Sequence, residues 1–598
     1  MKTEINARLT ALRRVMRRKG FAAFVFPSTD PHQGEYVPDH WKGREWISGF
    51  DGSAGTAVVT MTSAALWTDS RYFIAAAEQL AETEFVLMKE RIATTPSVSE
   101  WLAKELKKDT CKKIGIDGWV CSHSVAEDLR KALKKLGDFT LQTDFDPLAE
   151  IWNHRPLRPK NKIFLHPLQY AGETCSSKLR RIRKALSEQQ AEGTIVSALD
   201  DVAWTLNLRG SDVHCNPVFV AYLFILEQKA VLYTDMEKIS PEINRYLLSE
   251  GVETAPYEQI PIALAQYTDI ALLLDSDALN ERLFTVAFNA RSIIGKLPIP
   301  TMKAVKNETE IRGFRNAMLR DGVAMVKFLK WLRPAIEAGG QTEITLGEKL
   351  TSLRSEQALY EGISFDTIVG YEAHGAIVHY EATPKTDRLV EPRGLVLIDS
   401  GAQYVDGTTD ITRTIALGPV SEEQRKIYTL VLKGHIQLAL CKFPTGVCGS
   451  QLDAFARQAM WREGYNFMHG TGHGVGSFLN VHEGPHQIRM EWVAAPLLPG
   501  MTVTNEPGIY LEGKFGVRIE NTMLIQPHRQ TTFGDFLGFD ALTLAPIDTT
   551  SIDFNMLTAE EVHWLNSYHE RVYRELSPYL TNEEQTWLKN ATQPVERK

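Results

Sequence analysis

Two periods of hydrophobicity take turns along this chain. Leu9, Leu12, Val15 and Met16 recur at helical spacing and predict a helix over residues 9–18. An apolar run at 22–27 then predicts a buried strand, and a second strand is expected at 56–60. Between them stands Trp46, followed six residues later by Gly52-Ser53. The whole order returns further on: a helical pattern at 179–186, an apolar run at 193–196, Trp204 six residues before Gly210-Ser211, and a strand pattern at 217–225. This repetition predicts two related α/β units that arose by duplication.

Prolines mark the joints. Pro156, Pro159 and Pro167 lie among basic residues at 153–167, a composition that suits a linker, and Pro298 and Pro300 mark a second one. Just beyond, Asn307 with Glu310 forms a capping-box signature, and Ile311, Phe314, Met318, Met325 and Leu329 continue at helical spacing. From there strand-like runs at 394–398, 408–416, 501–505 and 516–525 alternate with amphipathic helices. Ser421 with Gln424 and Thr558 with Glu561 repeat the capping signature, ahead of a helix at 422–440 and of a helical C-terminal tail. Residues 452–462 read as another helix. The expected organisation is a mixed α/β and α+β chain of three domains: an N-terminal α/β domain at 1–155, a related second one at 156–302, and a catalytic domain at 303–598 with a helical C-terminal extension.

Composition narrows the class without choosing a function. With 598 residues, 43% apolar and 23% charged, the chain is multidomain and globular, not disordered, fibrous or stapled by disulfides. A net charge of −8 argues against a general nucleic-acid-binding surface. Six cysteines, at 111, 121, 175, 215, 441 and 448, form no C-x-x-C pair, and scattered single thiols fit a reducing, cytoplasmic compartment. The basic, helical segment 1–20 lacks the apolar stretch of a secretory signal, and no run approaches the ~18 apolar residues of a membrane span. Neither nucleic acid nor membrane is expected as a partner.

The chemistry concentrates in the third domain. An apolar strand pattern ends on Asp399. In the next pattern, side-chain alternation sets Asp410, Thr412 and Thr414 against Ile411 and Ile415. Folding one strand back on the other would bring the two aspartates together. Glu506 ends another strand pattern before Pro507-Gly508, and alternation in 516–521 puts Arg518 and Glu520 on one face with Val517 and Ile519 on the other. Between these pairs, His469-Gly470-Thr471-Gly472-His473-Gly474-Val475-Gly476 is too rich in glycine for a stable helix and predicts a loop that presents two imidazoles.

Four carboxylates on otherwise apolar strands cannot stay charged and unpaired in a core. Either each has its own cation or metal ions neutralise the group. Any one of these residues alone is commonplace, and His379 and His482, in apolar stretches, would singly be core histidines. Together, Asp, Asp, His, Glu and Glu at spacings of 11, 63, 33 and 14 form an oxygen-rich set with one imidazole. That set suits Mn²⁺ or another borderline divalent ion. A pair of such ions shares bridging carboxylates and activates a water between them.

In Asp399-Ser400-Gly401, Thr409-Asp410-Ile411-Thr412-Arg413-Thr414, His469-Gly470-Thr471-Gly472-His473-Gly474, Asn505-Glu506-Pro507-Gly508 and Arg518-Ile519-Glu520-Asn521 the chain resembles the metallopeptidases of pita-bread fold. Within them it is similar to the Xaa-Pro aminopeptidase (aminopeptidase P) family in its long, three-domain cytosolic form. The likeness extends to Phe50-Asp51-Gly52-Ser53-Ala54-Gly55-Thr56, to Trp67-Thr68-Asp69-Ser70-Arg71-Tyr72 and to Asn207-Leu208-Arg209-Gly210-Ser211-Asp212. It implies two creatinase-like α/β domains ahead of a pita-bread catalytic domain. It also implies release of the N-terminal residue from peptides with proline second, by attack of a hydroxide bridging two metal ions on the Xaa-Pro bond.

The resemblance assigns Asp399 to the first metal, Asp410 and Glu520 to both, and His473 and Glu506 to the second. Glu506 would also carry the proton to and from the nucleophilic water. His379 and His482 would lie outside the metal shell, orienting substrate and stabilising the oxyanion. His469 and Tyr510 would line the proline pocket, and Arg518 would orient carboxylates or substrate. Two divalent ions per chain, Mn²⁺ first among them, peptide substrates and a homodimer follow as expectations. Rival readings differ in build. Prolidase shares the ligand pattern but cleaves dipeptides and usually has one N-terminal domain. Methionine aminopeptidase lacks the long N-terminal half, and a creatine-type amidinohydrolase has two domains. A noncatalytic peptide-binding relative would have lost ligands, and here all five positions are filled. Asn505 departs from the pattern, because the resembled cytosolic enzymes tend to carry an aspartate there.

Overall fold

The repetition in the N-terminal half is present in three dimensions. In the computed structural model, which describes residues 2–596, the chain divides into two units. One comprises Met1–His166 with Glu173–Ile299, the other Pro167–Gly172 with Pro300–Lys598. The first unit holds two six-stranded sheets. One is ordered Phe85–Lys89, Ala64–Thr68, Thr56–Thr60, Ala23–Pro27, Lys113–Ile116, Thr140–Gln142; the other Val252–Pro256, Ala230–Thr234, Ala221–Leu226, Gly193–Val196, Leu272–Leu274, Ile293–Ile294. Taken in that order, both pair parallel, antiparallel, antiparallel, parallel, parallel. Ala64–Thr68 and Ala230–Thr234 are buried throughout, as suits strands covered on both faces. Leu9, Leu12 and Met16 of the helix Lys2–Lys19 pack into one core, and the helix Cys175–Glu188 buries Leu179, Ile182 and Leu186 in the corresponding place.

In the second unit the caps form as the sequence predicts. Asn307 accepts from the N–H groups of Thr309 and Glu310, and Glu310 reaches back to the Asn307 N–H, starting the helix Glu308–Ala338. Such a cap contributes about 1 kcal/mol. Ser421 and Thr558 start Glu422–Leu440 and Ala559–Leu576 in the same way. Glu308–Ala338 packs on a three-stranded sheet (Ile368–Tyr371, Leu395–Ser400, Ile411–Ala416) and Glu422–Leu440 on a four-stranded one (Lys442–Pro444, Gly534–Ala541, Asn521–Thr531, Thr502–Asn505). Val326, Leu395, Tyr428, Ile436, Ile519, Leu565 and Val572 belong to one buried cluster that joins helices to strands. No helix among the described residues is long and apolar enough to cross a membrane.

Two runs that read as continuous strands are interrupted. The run at 408–416 splits into Gly407–Thr408 and Ile411–Ala416, and that at 516–525 into Phe515–Arg518 and Asn521–Thr531. The cause is a change of partner. Gly407–Thr408 pairs with Ala402–Tyr404, but Ile411–Ala416 pairs with Leu395–Ser400. Likewise Phe515–Arg518 pairs with Gly508–Leu511, whereas Asn521–Thr531 pairs with Thr502–Asn505. A two-residue interruption preserves a two-residue period, so alternation alone cannot reveal it. The gaps fall at Thr409-Asp410 and Ile519-Glu520, and a third, Glu506-Pro507, separates Thr502–Asn505 from Gly508–Leu511. Each gap holds one carboxylate. The His469–Gly476 segment is mostly loop, as predicted, except that Gly472–Gly474 pairs briefly with Glu483–Ile488.

Candidate metal centre

Three of the predicted residues meet directly. One ligand atom from each of Asp410, His473 and Glu520 lies within 4.8 Å of the other two. His473 Nε2 stands 3.4 Å from Asp410 Oδ2 and 3.4 Å from Glu506 Oε1, which brings in the fourth residue. Its Nδ1 donates to the Gly474 carbonyl at 2.8 Å, which turns Nε2 toward the carboxylates. Asp399 sits opposite Thr412 in the antiparallel ladder and is held through Oδ2 by Arg518, Nη2 at 2.6 Å and Nε at 3.1 Å.

The electrostatics record crowding of like charge. Burial raises the Asp399 carboxyl above its ordinary range; Arg518 opposes this and the Asp410 charge adds to it. Burial also raises Glu506, with His473 opposing and Asp410 adding. Glu520 is raised well above the usual range by burial and by the charges of Asp410, Glu506 and Asp399. For His473, burial favours the neutral ring, but the hydrogen bond it donates to Asp410 and the charges of Glu506 and Asp410 outweigh it and raise the pKa to about 9.

This donor set fits divalent cations. Asp399 Oδ1 is buried without a hydrogen-bond partner, a costly state for a carboxylate oxygen. Arg518 and His473 supply at most two positive charges against four carboxylates. Carboxylate oxygens with one imidazole are the ligands that Mn²⁺, Co²⁺ and Zn²⁺ share.

The other predicted residues fall around this group. His482 packs edge-on to His473, ring centroids 4.4 Å apart. His469 Nε2 is 2.8 Å from the Tyr510 hydroxyl, which also accepts from Arg518 Nη1 at 2.7 Å. Arg518 thereby joins Asp399 to Tyr510 and His469. Half-buried His379 follows Val378, whose carbonyl lies 3.4 Å from Arg518 Nη2; it belongs to the same surroundings but not to the three-residue group. Asn505 turns its amide away, donating to the His435 carbonyl.

Sequence reasoning gave no role to two threonines that hold the carboxylates. Thr412 Oγ1 donates to Glu520 Oε2 at 2.8 Å. Thr504 Oγ1 donates to Glu506 Oε1 at 3.2 Å and accepts from the His473 N–H at 3.1 Å. The one available sign was position: each stands two residues from an acid, Asp410 or Glu506, in the same extended run.

Comparisons with known proteins bear on the whole chain. Residues 312–527 match the Metallopeptidase family M24 and 535–595 match the C-terminal region of peptidase_M24. Residues 8–145 and 154–310 each match the Creatinase/Prolidase N-terminal domain. A probable Xaa-Pro aminopeptidase P of Paracoccidioides brasiliensis is 39% identical over 99% of this chain and 99% of its own length. Xaa-Pro aminopeptidase 1 of Dictyostelium discoideum is 38% identical over 99% and 97%. The X-prolyl aminopeptidase of Caenorhabditis elegans, a cytosolic enzyme with a di-nuclear active site, superimposes with a TM-score of 0.95 at 34% identity over 99% of this chain and 100% of its own. Xaa-Pro dipeptidase from Bacillus anthracis reaches only 0.51 at 26% identity, over 63% of this chain and 99% of its own.

Fold and matched families together define a metallopeptidase of pita-bread fold preceded by two creatinase-type domains. The chain belongs to family M24 and, within it, to the Xaa-Pro aminopeptidases.

Proposed function

We propose that this chain removes the N-terminal residue from peptides whose second residue is proline. The observation that carries the reading is the convergence of Asp410, His473 and Glu520 within 4.8 Å. Its support is a chain whose full-length relatives bear the name Xaa-Pro aminopeptidase. Asp399, Asp410, His473, Glu506 and Glu520 would hold two divalent ions, Mn²⁺ first among them. Such ions, when bound, supply Lewis-acid polarisation of the scissile carbonyl and acidify the attacking water.

Side chains do the rest. Glu506 takes a proton from the attacking water and passes it to the proline nitrogen; burial raises its carboxyl above the ordinary carboxylate range, which favours its accepting a proton. His482 and His379 orient the substrate and donate to the developing oxyanion. An Xaa-Pro bond offers no N–H to hold. His469 and Tyr510, fixed by Arg518, form a wall for the proline ring instead, and a preformed wall costs little entropy. A carboxylate of the cluster or a bound metal ion would recognise the substrate's free amine.

The proposed domain limits are 1–155, 156–302 and 303–598, with the creatinase-type matches at 8–145 and 154–310 as support. A homodimer in the cytoplasm completes the reading, testable by sedimentation and by fractionation. The deciding experiment compares hydrolysis of Arg-Pro-Pro with that of Arg-Ala-Ala. Only the first is cut, cutting stops with chelator, and Mn²⁺ restores it. Cleavage of Gly-Pro without cleavage of longer peptides would replace this reading with a dipeptidase.

A further inference from the structure

One buried cation beside the site has no acidic partner among its hydrogen bonds. Arg413 is 1% exposed. Its Nε donates to the Pro546 carbonyl at 3.1 Å. Its Nη1 donates to the carbonyls of Thr412 at 3.0 Å and Glu520 at 2.6 Å. Its Nη2 lies 2.8 Å from Asn521 Oδ1, 2.9 Å from the Ala545 carbonyl and 2.9 Å from the Tyr568 hydroxyl. None of these acceptors is a carboxylate. Tyr568 belongs to the helix Ala559–Leu576, and its hydroxyl also lies 3.0 Å from the carbonyls of Thr543 and Ala545.

Glu520 gives this network its importance. It stands in the gap at Ile519-Glu520, between two strands that pair with different partners. Its N–H donates to the Thr412 carbonyl at 3.1 Å, and Arg413 supplies the donor for its carbonyl. Its carboxylate accepts from Thr412 Oγ1. Thr412 and Arg413 are consecutive in the strand Ile411–Ala416, so their side chains leave it in opposite directions. One strand thus grips Glu520 by its carboxylate on one side and by its backbone on the other. A buried carbonyl without a donor is costly, and the rigid fork of a guanidinium fixes direction in a way an ammonium does not.

We infer that Arg413 is a positioning residue for Glu520, and that Tyr568 makes the helix Ala559–Leu576 a support of the metal centre. The inference rests on the metal reading given above. Its test is Mn²⁺ binding by calorimetry to the full-length chain, with the visible spectrum of the Co²⁺ form as a second readout. Arg413→Lys keeps the charge but loses the fork, and weakens ion binding about 10–100-fold, the usual range for losing a partner of a metal ligand. Tyr568→Phe keeps the ring and weakens binding several-fold, and both variants shift the Co²⁺ bands. Val572→Ala, in the same helix but buried among apolar side chains, lowers the melting temperature while leaving affinity and spectrum unchanged.

Wild-type affinity and spectrum in Tyr568→Phe would overturn the link through the helix. Equal losses in Val572→Ala would reduce the effect to general destabilisation and overturn it too. A wild-type chain that binds neither Mn²⁺ nor Co²⁺ would instead remove the metal reading, and this inference with it.

Discussion

His32 in the first unit and His473 in the second are both enclosed imidazoles, yet their protons behave in opposite ways. His32 is 2% exposed, and burial drives its pKa down to about 3, the Ser197 carbonyl opposing and the Lys238 charge adding. Its Nδ1 lies 2.8 Å from the Ser197 carbonyl and its Nε2 3.0 Å from the Tyr257 hydroxyl. The neutral ring is thereby satisfied at both nitrogens, with dipoles alone. Around His473 the same burial is overridden by Asp410 and Glu506, and the ring holds its proton up to about 9. Neutral neighbours suffice to bury an imidazole. An imidazole whose proton is favoured by two neighbouring carboxylates despite burial reports negative charge in excess, and excess negative charge in a core is what a divalent ion cancels.

The largest expected effect strikes the charged side of this contrast. Asp410→Asn should lower kcat/KM on Arg-Pro-Pro by about 10³-fold or more, the several kcal/mol of Lewis-acid stabilisation expressed as rate. Wild-type turnover in that variant would break the contrast, since the acid would then be structural.

The next effect is thermodynamic. Ions that bind only the folded chain stabilise it by about 2.7 kcal/mol at a hundredfold excess over Kd. Mn²⁺ should therefore raise the melting temperature of the wild type and fail to raise that of Asp410→Asn. Equal rises in both proteins would place the ions elsewhere.

The smallest effect sharpens the neutral side. A histidine whose folded pKa is depressed contributes stability that is fully present above the unfolded value of ~6.5 and is lost as pH falls toward the folded value of about 3. Between pH 6.5 and 5 the loss from His32 is on the order of 2 kcal/mol. Urea unfolding of His32→Gln should show a correspondingly shallower decline over that interval. An undiminished decline would assign the acid sensitivity to other groups.

Much of this was legible in the chain. The repeated spacing of Trp46 and Gly52 with Trp204 and Gly210 predicted two like units, and their strand orders agree. Asn307, Ser421 and Thr558 announced three helices, because capping is a local property written within four residues. The acids were visible because carboxylates at the ends of apolar runs conflict with burial. What stayed hidden depended on pairing between distant segments. Alternation set Arg518 on the Glu520 face, but its ion-pair partner is Asp399, and only Thr412 stands between, 3.2 Å from Arg518 Nε and 2.8 Å from Glu520 Oε2. Arg413 read as one letter of a motif, since nothing within ten residues of it hints at Tyr568.

The order of the site residues along the chain also fixes when the site comes into being. Asp399 and Asp410 leave the ribosome long before Glu506 and Glu520, and Tyr568 emerges later still. A growing chain therefore passes through a stage in which two of the four acids are present without the imidazole or the remaining pair. On the proposed ligand set, ion capture would belong to the end of biogenesis, as a final seal on the fold but not as its seed.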